Sequence, residues 1–257
     1  MTNKQKLIAL YTIINHELIR MLRISSQVFL PPVITTLLYF LIFGTVVGKQ
    51  IGTIQGMSYG EFLAPGLVMM SVIINSYSNV STSLFSVRFQ KSIEELLVSP
   101  MHYSSILLGF VIGGVFRGLI VGILVYFVSC FFLHVDFTRI PMTFCIVVLV
   151  ATVFSLAGFA NAMLARTFDD VALIPTFIIT PLTYLGGVFY TTNMLPVFWQ
   201  KLSYFNPILY MVTALRQAMI GHQEINMTLA MTVICTLLVL LAILNLMLMK
   251  KGVGLHD

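Results

Sequence analysis

A chain that hydrolyses a nucleotide needs a phosphate cradle, and the nearest approach to one here is Gly44-Thr-Val-Val-Gly48-Lys49-Gln50. A P-loop spaces its glycines by four residues and follows its lysine with a hydroxyl that holds magnesium. Here the spacing is one residue short and a glutamine stands where the hydroxyl belongs, so the match fails. Cys130, Cys145 and Cys235 lie within apolar runs without metal-type spacing and read as small buried hydrophobes. No serine, histidine and aspartate share a helical face. The one polar cluster suited to surface chemistry, Arg166-Thr-Phe-Asp169-Asp170, has no histidine and a single arginine. An active transporter built on this chain must draw its energy from another polypeptide.

Three features carry more promise. Arg117 interrupts an apolar run near its middle, where an arginine costs about 2.5–3.5 kcal/mol on insertion scales. It must face a polar partner, a carbonyl cluster or water, and no acid sits at matching depth. Asn161 or a carbonyl of a proline-disrupted neighbour would serve, making Arg117 a structural hub, and an anionic lipid or substrate headgroup is the alternative. Ser71, Asn75, Ser78 and Thr82 follow one another at spacings of four, three and four, hence on one helical face. They read either as interhelical glue or as the lining of a polar route. Arg88 to Ser99 carries four charges in twelve residues and ends before Pro100, which predicts a short helix outside the membrane. Arg88, Lys91, Glu94 and Glu95 give it a charged surface, and Ile93, Leu96 and Leu97 give it anchors. It is a coupling element for a soluble partner or a solvated connector.

The elements that must position these residues follow from composition. Of 257 residues 58% are hydrophobic and 9% charged, and the mean hydropathy is +0.98. Soluble domains carry about 25% charged residues. The chain is therefore expected to be an all-α integral membrane protein. Its net charge of +5 comes from scattered basic residues, not a patch, which argues against nucleic acid. Six apolar runs are long enough to cross a bilayer: 24–48, 62–87, 104–133, 140–165, 171–190 and 225–249. Ahead of them, residues 1–28 place Leu7, Tyr11, Ile14, Leu18 and Met21 at helical spacing between charges. That pattern predicts an amphipathic helix, in the membrane interface or packed on protein. No uninterrupted apolar stretch there suggests a cleaved signal peptide.

Gly52, Gly56 and Gly60 mark a short loop after the first run. Gly109-x3-Gly113 and Gly114-x3-Gly118-x3-Gly122 let helix backbones approach closely, within the chain or across a dimer. Pro175 and Pro181 bend the fifth run, and Gly186-Gly187 weaken its end, as a gate hinge or as static kinks. Residues 191–224 hold aromatics and a helical part, 208–221, of roughly 21 Å at 1.5 Å per residue. That is too short to span, so it is expected to re-enter the membrane from outside. Cytoplasmic termini put Lys4, Lys6, Arg20, Arg23, Arg88, Lys91, Arg166, Lys250 and Lys251 inside, against Lys49, Arg139, Lys201 and Arg216 outside. The positive-inside rule favours that orientation.

The stretch from Ile179 to Arg216 resembles the signature of the ABC-2 family of transport permeases. Leu185-Gly186-Gly187-Val188, Leu195-Pro196, Pro207-Ile208-Leu209-Tyr210 and then Arg216 fall at the family's spacing without a clear departure. The resemblance runs through essentially the whole chain, as a single domain over residues 1–257. It implies a type V exporter-like permease in the bacterial inner membrane, working as a homodimer with two copies of a cytoplasmic ABC ATPase among membrane lipids. ATP and Mg would be held by that partner, with no cofactor in this chain. In similar proteins an acidic Glu-Leu-Leu-x-x-Pro loop docks into the ATPase, which carries over to Glu94, Glu95, Leu96, Leu97 and Pro100 within residues 86–103. The cargo class implied is amphipathic, lipid-like, glycan or drug. The rival expectations are a lipid-modifying membrane enzyme built on Arg166–Asp170 and a passive channel or scaffold.

Overall fold

A segment crossing lipid must satisfy its own backbone, so apolar runs of this length are helices. The computed structural model describes residues 3–54, 56–92, 102–131, 139–222 and 224–252. It begins with α1 (Asn3–Arg23) and α2 (Ser25–Ile51), followed by a two-residue antiparallel ladder, β1 (Thr53–Ile54) with β2 (Met57–Ser58). Then come α3 (Tyr59–Phe89), α4 (Tyr103–Ser129), α5 (Ile140–Leu164) and α6 (Phe168–Leu185). Two short helices, α7 (Val197–Tyr204) and α8 (Pro207–Ile220), lead into α9 (Met227–Lys251). Helices α2 to α6 and α9 are the six long and apolar enough to cross a membrane, as the apolar runs predict. The glycine loop after α2 is a small hairpin, with Gly56 at φ +83 in its turn.

Helix α3 is the hub. It packs on α4 and α5, which also pack on each other, and α8 and α9 close the far side of α5. Of the apolar window of α3, 78% is buried, against 11% for α2 and for α9, so the outer helices are held along one edge only. Lipid tails are as apolar as leucine, so close packing has to hold the hub together. The glycines of α4 permit it. A Cβ at Gly114 would stand 2.5 Å from Val80 Cγ2, and one at Gly118 would stand 3.0 Å from Ser76 Cβ. On α5, a Cβ at Gly158 would meet the Tyr77 carbonyl at 2.5 Å.

The other glycine register belongs to α1. A Cβ at Gly109 would meet Ile13 Cγ2 at 2.5 Å, and one at Gly113 would meet Glu17 Cβ at 2.8 Å. Both registers therefore serve contacts within the chain. Helix α1 is packed on protein along one face, which follows the expected stripe only in part: Met21 is buried and Ile14 and Leu18 are half-buried. Ile13, Glu17 and Met21 turn inward, while Leu7 and Tyr11 are exposed. The glycine notch and polar partners for Glu17 on α3 outweigh the apolar stripe. An apolar outer face is what a membrane would cover.

In α6 the prolines act as the sequence suggests. A π-helical turn occupies Pro175–Ile179, and Thr180 Oγ1 donates to the Pro175 carbonyl at 2.8 Å. The helix resumes over Thr180–Leu185 and stops at Gly186.

Candidate functional site

Among the described residues, two polar constructions inside the apolar bundle hold residues singled out in the sequence. The first is the corner where α6 ends, and it contains the signature residues. Gly187 takes φ +74, a conformation that costs glycine little, and its carbonyl turns inward. Arg216 Nη2 donates to that carbonyl at 2.7 Å, and Nη1 donates to Glu224 Oε2 at 3.2 Å. The guanidinium also lies 3.9 Å from the centroid of the Phe62 ring, and the residue is wholly buried. One side chain thus ties α8, α3 and the end of α6. Asn206 caps α8 by accepting from the Ile208 amide and also donates to the Leu182 carbonyl at 2.6 Å. Pro207 opens α8 with its φ preset, and Tyr210 Oη donates to the Tyr204 carbonyl at 2.8 Å. Pro196 stands at the N-terminal cap of α7, where the Leu195 carbonyl accepts from Gln200 Nε2 at 2.8 Å.

This corner is clamped. A Cβ at Gly66 on α3 would stand 2.9 Å from the Val188 backbone, and one at Gly186 would stand 2.8 Å from Ile208 Cγ2. Tyr59 Oη holds the Phe189 carbonyl at 2.9 Å. The exposed, irregular part of α6 is instead the π-helical turn, with Phe177 and Ile178 outward and Pro181 exposed just beyond it.

The second construction is a groove between α2, α3 and α4. Arg117 reaches α3 there, and its Nη2 donates to Asn75 Oδ1 at 3.4 Å. Asn161 does not take this role, because its amide donates to the Val171 carbonyl at 3.0 Å. Ser71, Asn75 and Arg117 line a pocket of about 290 Å³ with Gln27, Thr35 and Tyr39 of α2. The stripe continues along α3 through Ser78, half-buried, and Thr82, exposed. Thr82 Oγ1 donates to the Ser78 carbonyl at 2.6 Å and Asn75 Nδ2 to the Ser71 carbonyl at 3.0 Å, so part of the stripe satisfies its own helix. At the far end of the pocket, Tyr39, Phe43, Tyr184 and Phe189 form an aromatic cluster, with Tyr39–Phe189 and Phe43–Phe189 centroids 5.5 Å apart.

Sequence reasoning missed the network next to this groove. Glu17, 1% exposed, accepts from Ser83 Oγ at 2.5 Å, from Arg20 Nη2 at 2.9 Å and from Asn79 Nδ2 at 3.4 Å. Arg20 also donates to Asn79 Oδ1 at 2.9 Å. The available signal was Asn79 and Ser83 at helical spacing on a deeply apolar span, with one acid in an amphipathic helix to satisfy them.

Of the expected coupling residues, Arg88 turns inward. Its guanidinium donates to the Ala162 carbonyl and, at 3.1 Å, to the Ala165 carbonyl, closing the C-terminal end of α5 where a cation is favoured. Lys91 is exposed, with φ +58. Glu94, Glu95, Leu96, Leu97 and Pro100, with Ile93, lie outside the described residues. The Arg166–Asp170 cluster is a helix cap. Asp170 Oδ2 accepts from the Arg166 and Thr167 amides, and Thr167 Oγ1 accepts from the Asp170 amide. Its carboxylate is committed to starting α6. Among the described residues no three histidine, cysteine or carboxylate side chains gather as a metal site.

The comparisons with known proteins agree with one another. A family model described as "ABC-2 type transporter" matches residues 8–220. The chain is 46% identical over 250 residues to the inner membrane transport permease YadH of Escherichia coli K12, covering 97% of this chain and 98% of that protein. It is 25% identical over 220 residues to nodulation protein J of Sinorhizobium fredii, and 22% over 216 residues to that of Neorhizobium galegae. Each match covers 84% of this chain and 82% of the relative.

Proposed function

This chain belongs to the ABC-2 type transporter family, and from that premise we propose that it moves an amphipathic cargo outward across the bacterial inner membrane. As a permease of an ABC transporter it works with a separate ATPase, as the family implies. In the proposed assembly, two copies of this chain face each other and bind two ATPases, which hold ATP and magnesium. Both termini lie in the cytoplasm, where the basic residues are concentrated.

The observation that carries this reading is the uncovered stripe of α3. The most buried span of the six leaves one line partly open, and Ser71, Ser78 and Thr82 lie on it with Met70 and Ile74, beside Asn75 and Arg117. Lipid tails alone would gain nothing from its polar groups, whereas a second copy and a polar route between them would use them. Helices α7 and α8 support an outer rim. Phe198, Trp199 and Tyr204 on the short α7 and Phe205 just after it are exposed, as an aromatic layer at an interface would be, and α8 packs inward between α3, α5 and α9. On the opposite side, Phe85, Phe89 and Phe168 cluster at the end of α3, with the Phe85 and Phe168 rings edge to face and their centroids 4.8 Å apart. Closure of the ATPase would push residues 88–100 there and tilt α3 and α4 against the Gly186 corner. The π-helical turn of α6 would bend. The substrates that fit are lipid-like molecules, lipid-linked glycans or apolar drugs.

The test is purification of the tagged chain from native membranes in mild detergent, followed by an ATP hydrolysis assay. A stoichiometric P-loop protein with vanadate-sensitive turnover is expected, and replacing Glu94 and Glu95 with alanine should lower that turnover while the chain still folds. A pure chain with no such partner and no turnover would overturn the assembly. Unchanged turnover in the double variant would remove the coupling role from that segment.

A further inference from the structure

Among the described residues Arg117 is the only charged one lining the pocket between α2, α3 and α4, with no acid in that lining. Its single hydrogen bond among them, to Asn75 Oδ1, is long at 3.4 Å. Glu17, the one acid close by, is already held by Arg20, Asn79 and Ser83. A guanidinium in surroundings of low polarity is tolerated when an anion or water meets it. The polar wall also holds Gln27, Thr35 and Ser71, while Leu67, Met70 and Ile74 make an apolar wall beside it. A free anion would use the first wall alone. A molecule with an anionic head and an acyl chain uses both.

We propose that this pocket binds the phosphate headgroup of an acyl-chain amphiphile, with Arg117 as the anion ligand and the chain laid along α3. That the amphiphile is cargo rests on the permease reading above. The binding itself does not.

The full-length protein in detergent is titrated calorimetrically with dioctanoyl phosphatidate. Dioctanoylglycerol, with the same chains and no charge, and inorganic phosphate, with charge and no chains, are the comparison ligands. One phosphatidate per chain is expected to bind, tighter than either. Charge-assisted bonds of the arginine–phosphate kind predict a loss of roughly tenfold or more in Arg117→Gln, with part retained in Arg117→Lys. Thr35→Trp leaves Arg117 in place and fills the pocket, so it should also abolish binding. It carries the test if Arg117→Gln does not fold. Equal affinity in the wild type and either blocking variant overturns the proposal, as does phosphatidate binding no tighter than dioctanoylglycerol or inorganic phosphate.

Native mass spectrometry of protein from native membranes separates the sources. A phospholipid retained by the wild type and lost in Arg117→Gln identifies a resident bilayer lipid. A site empty after purification that still binds the probe identifies a ligand that comes and goes, as cargo does. Either result supports the headgroup site. No step uses the ATPase, so absent turnover strikes the permease reading alone and absent phosphatidate binding strikes the pocket alone.

Discussion

Arg216 and Arg117 are both cations in apolar surroundings, and the molecule treats them oppositely. Arg216 has a carboxylate, a carbonyl and an aromatic face around it and no exposure. Arg117 has one long bond to a neutral amide and opens on a pocket. A buried cation compensated from three sides behaves as a lock, because any displacement strands Glu224 and the Gly187 carbonyl as well. A cation compensated from one side leaves attraction unused. The same residue type therefore marks the stillest point of the outer corner and the most receptive point of the groove.

The comparison breaks most visibly in stability. Arg216→Ala should cost about 3–5 kcal/mol, the range for stranding one half of a buried pair. Loss of the monodisperse peak in size-exclusion chromatography and a lower thermal midpoint in detergent would register it. Arg216→Lys should recover only part, because an ammonium lacks the planar fork that reaches two acceptors at once. In the same assay Arg117→Gln should leave the midpoint unchanged or raised. Equal losses at both positions would erase the distinction. Next in size, Gly66→Val forces a side chain against the Val188 backbone and should cost about 1–3 kcal/mol as overpacking. A midpoint within experimental error of the wild type would mean that the corner is not clamped. The smallest stability effect is the sharpest test. Asn75→Asp would give Arg117 the acid it lacks and should change stability by less than about 1 kcal/mol. Phosphatidate affinity should nonetheless fall, and unaltered affinity would show that the open charge is not what the ligand reads.

Much of the fold was legible in the sequence because lipid is an unselective solvent. It asks only for length and apolarity, so the runs 104–133, 140–165 and 225–249 declare themselves whatever they later touch. The signature from Leu185 to Arg216 was legible as a pattern, but its meaning was not. Nothing in the spacing says that Arg216 holds the Gly187 carbonyl, 29 residues earlier in the chain. Facing was harder still. In water, burial and apolarity go together, and on that logic Leu7 and Tyr11 should have been the inner face of α1. In a membrane the outside is apolar too, and Glu17 went inward.

By itself, then, the sequence determined the class of this protein, the number of its spans, the irregular turn at Pro175 and the family signature. Each of these depends on local composition or on neighbours a few residues apart. Only the tertiary structure decided which glycine register receives α1, that Asn75 and not Asn161 meets Arg117, that Arg88 closes α5, and that one buried arginine is compensated while the other is not. Those outcomes depend on which helices come within a few ångströms of each other. That is set by shape complementarity across the bundle, which no run of residues carries alone.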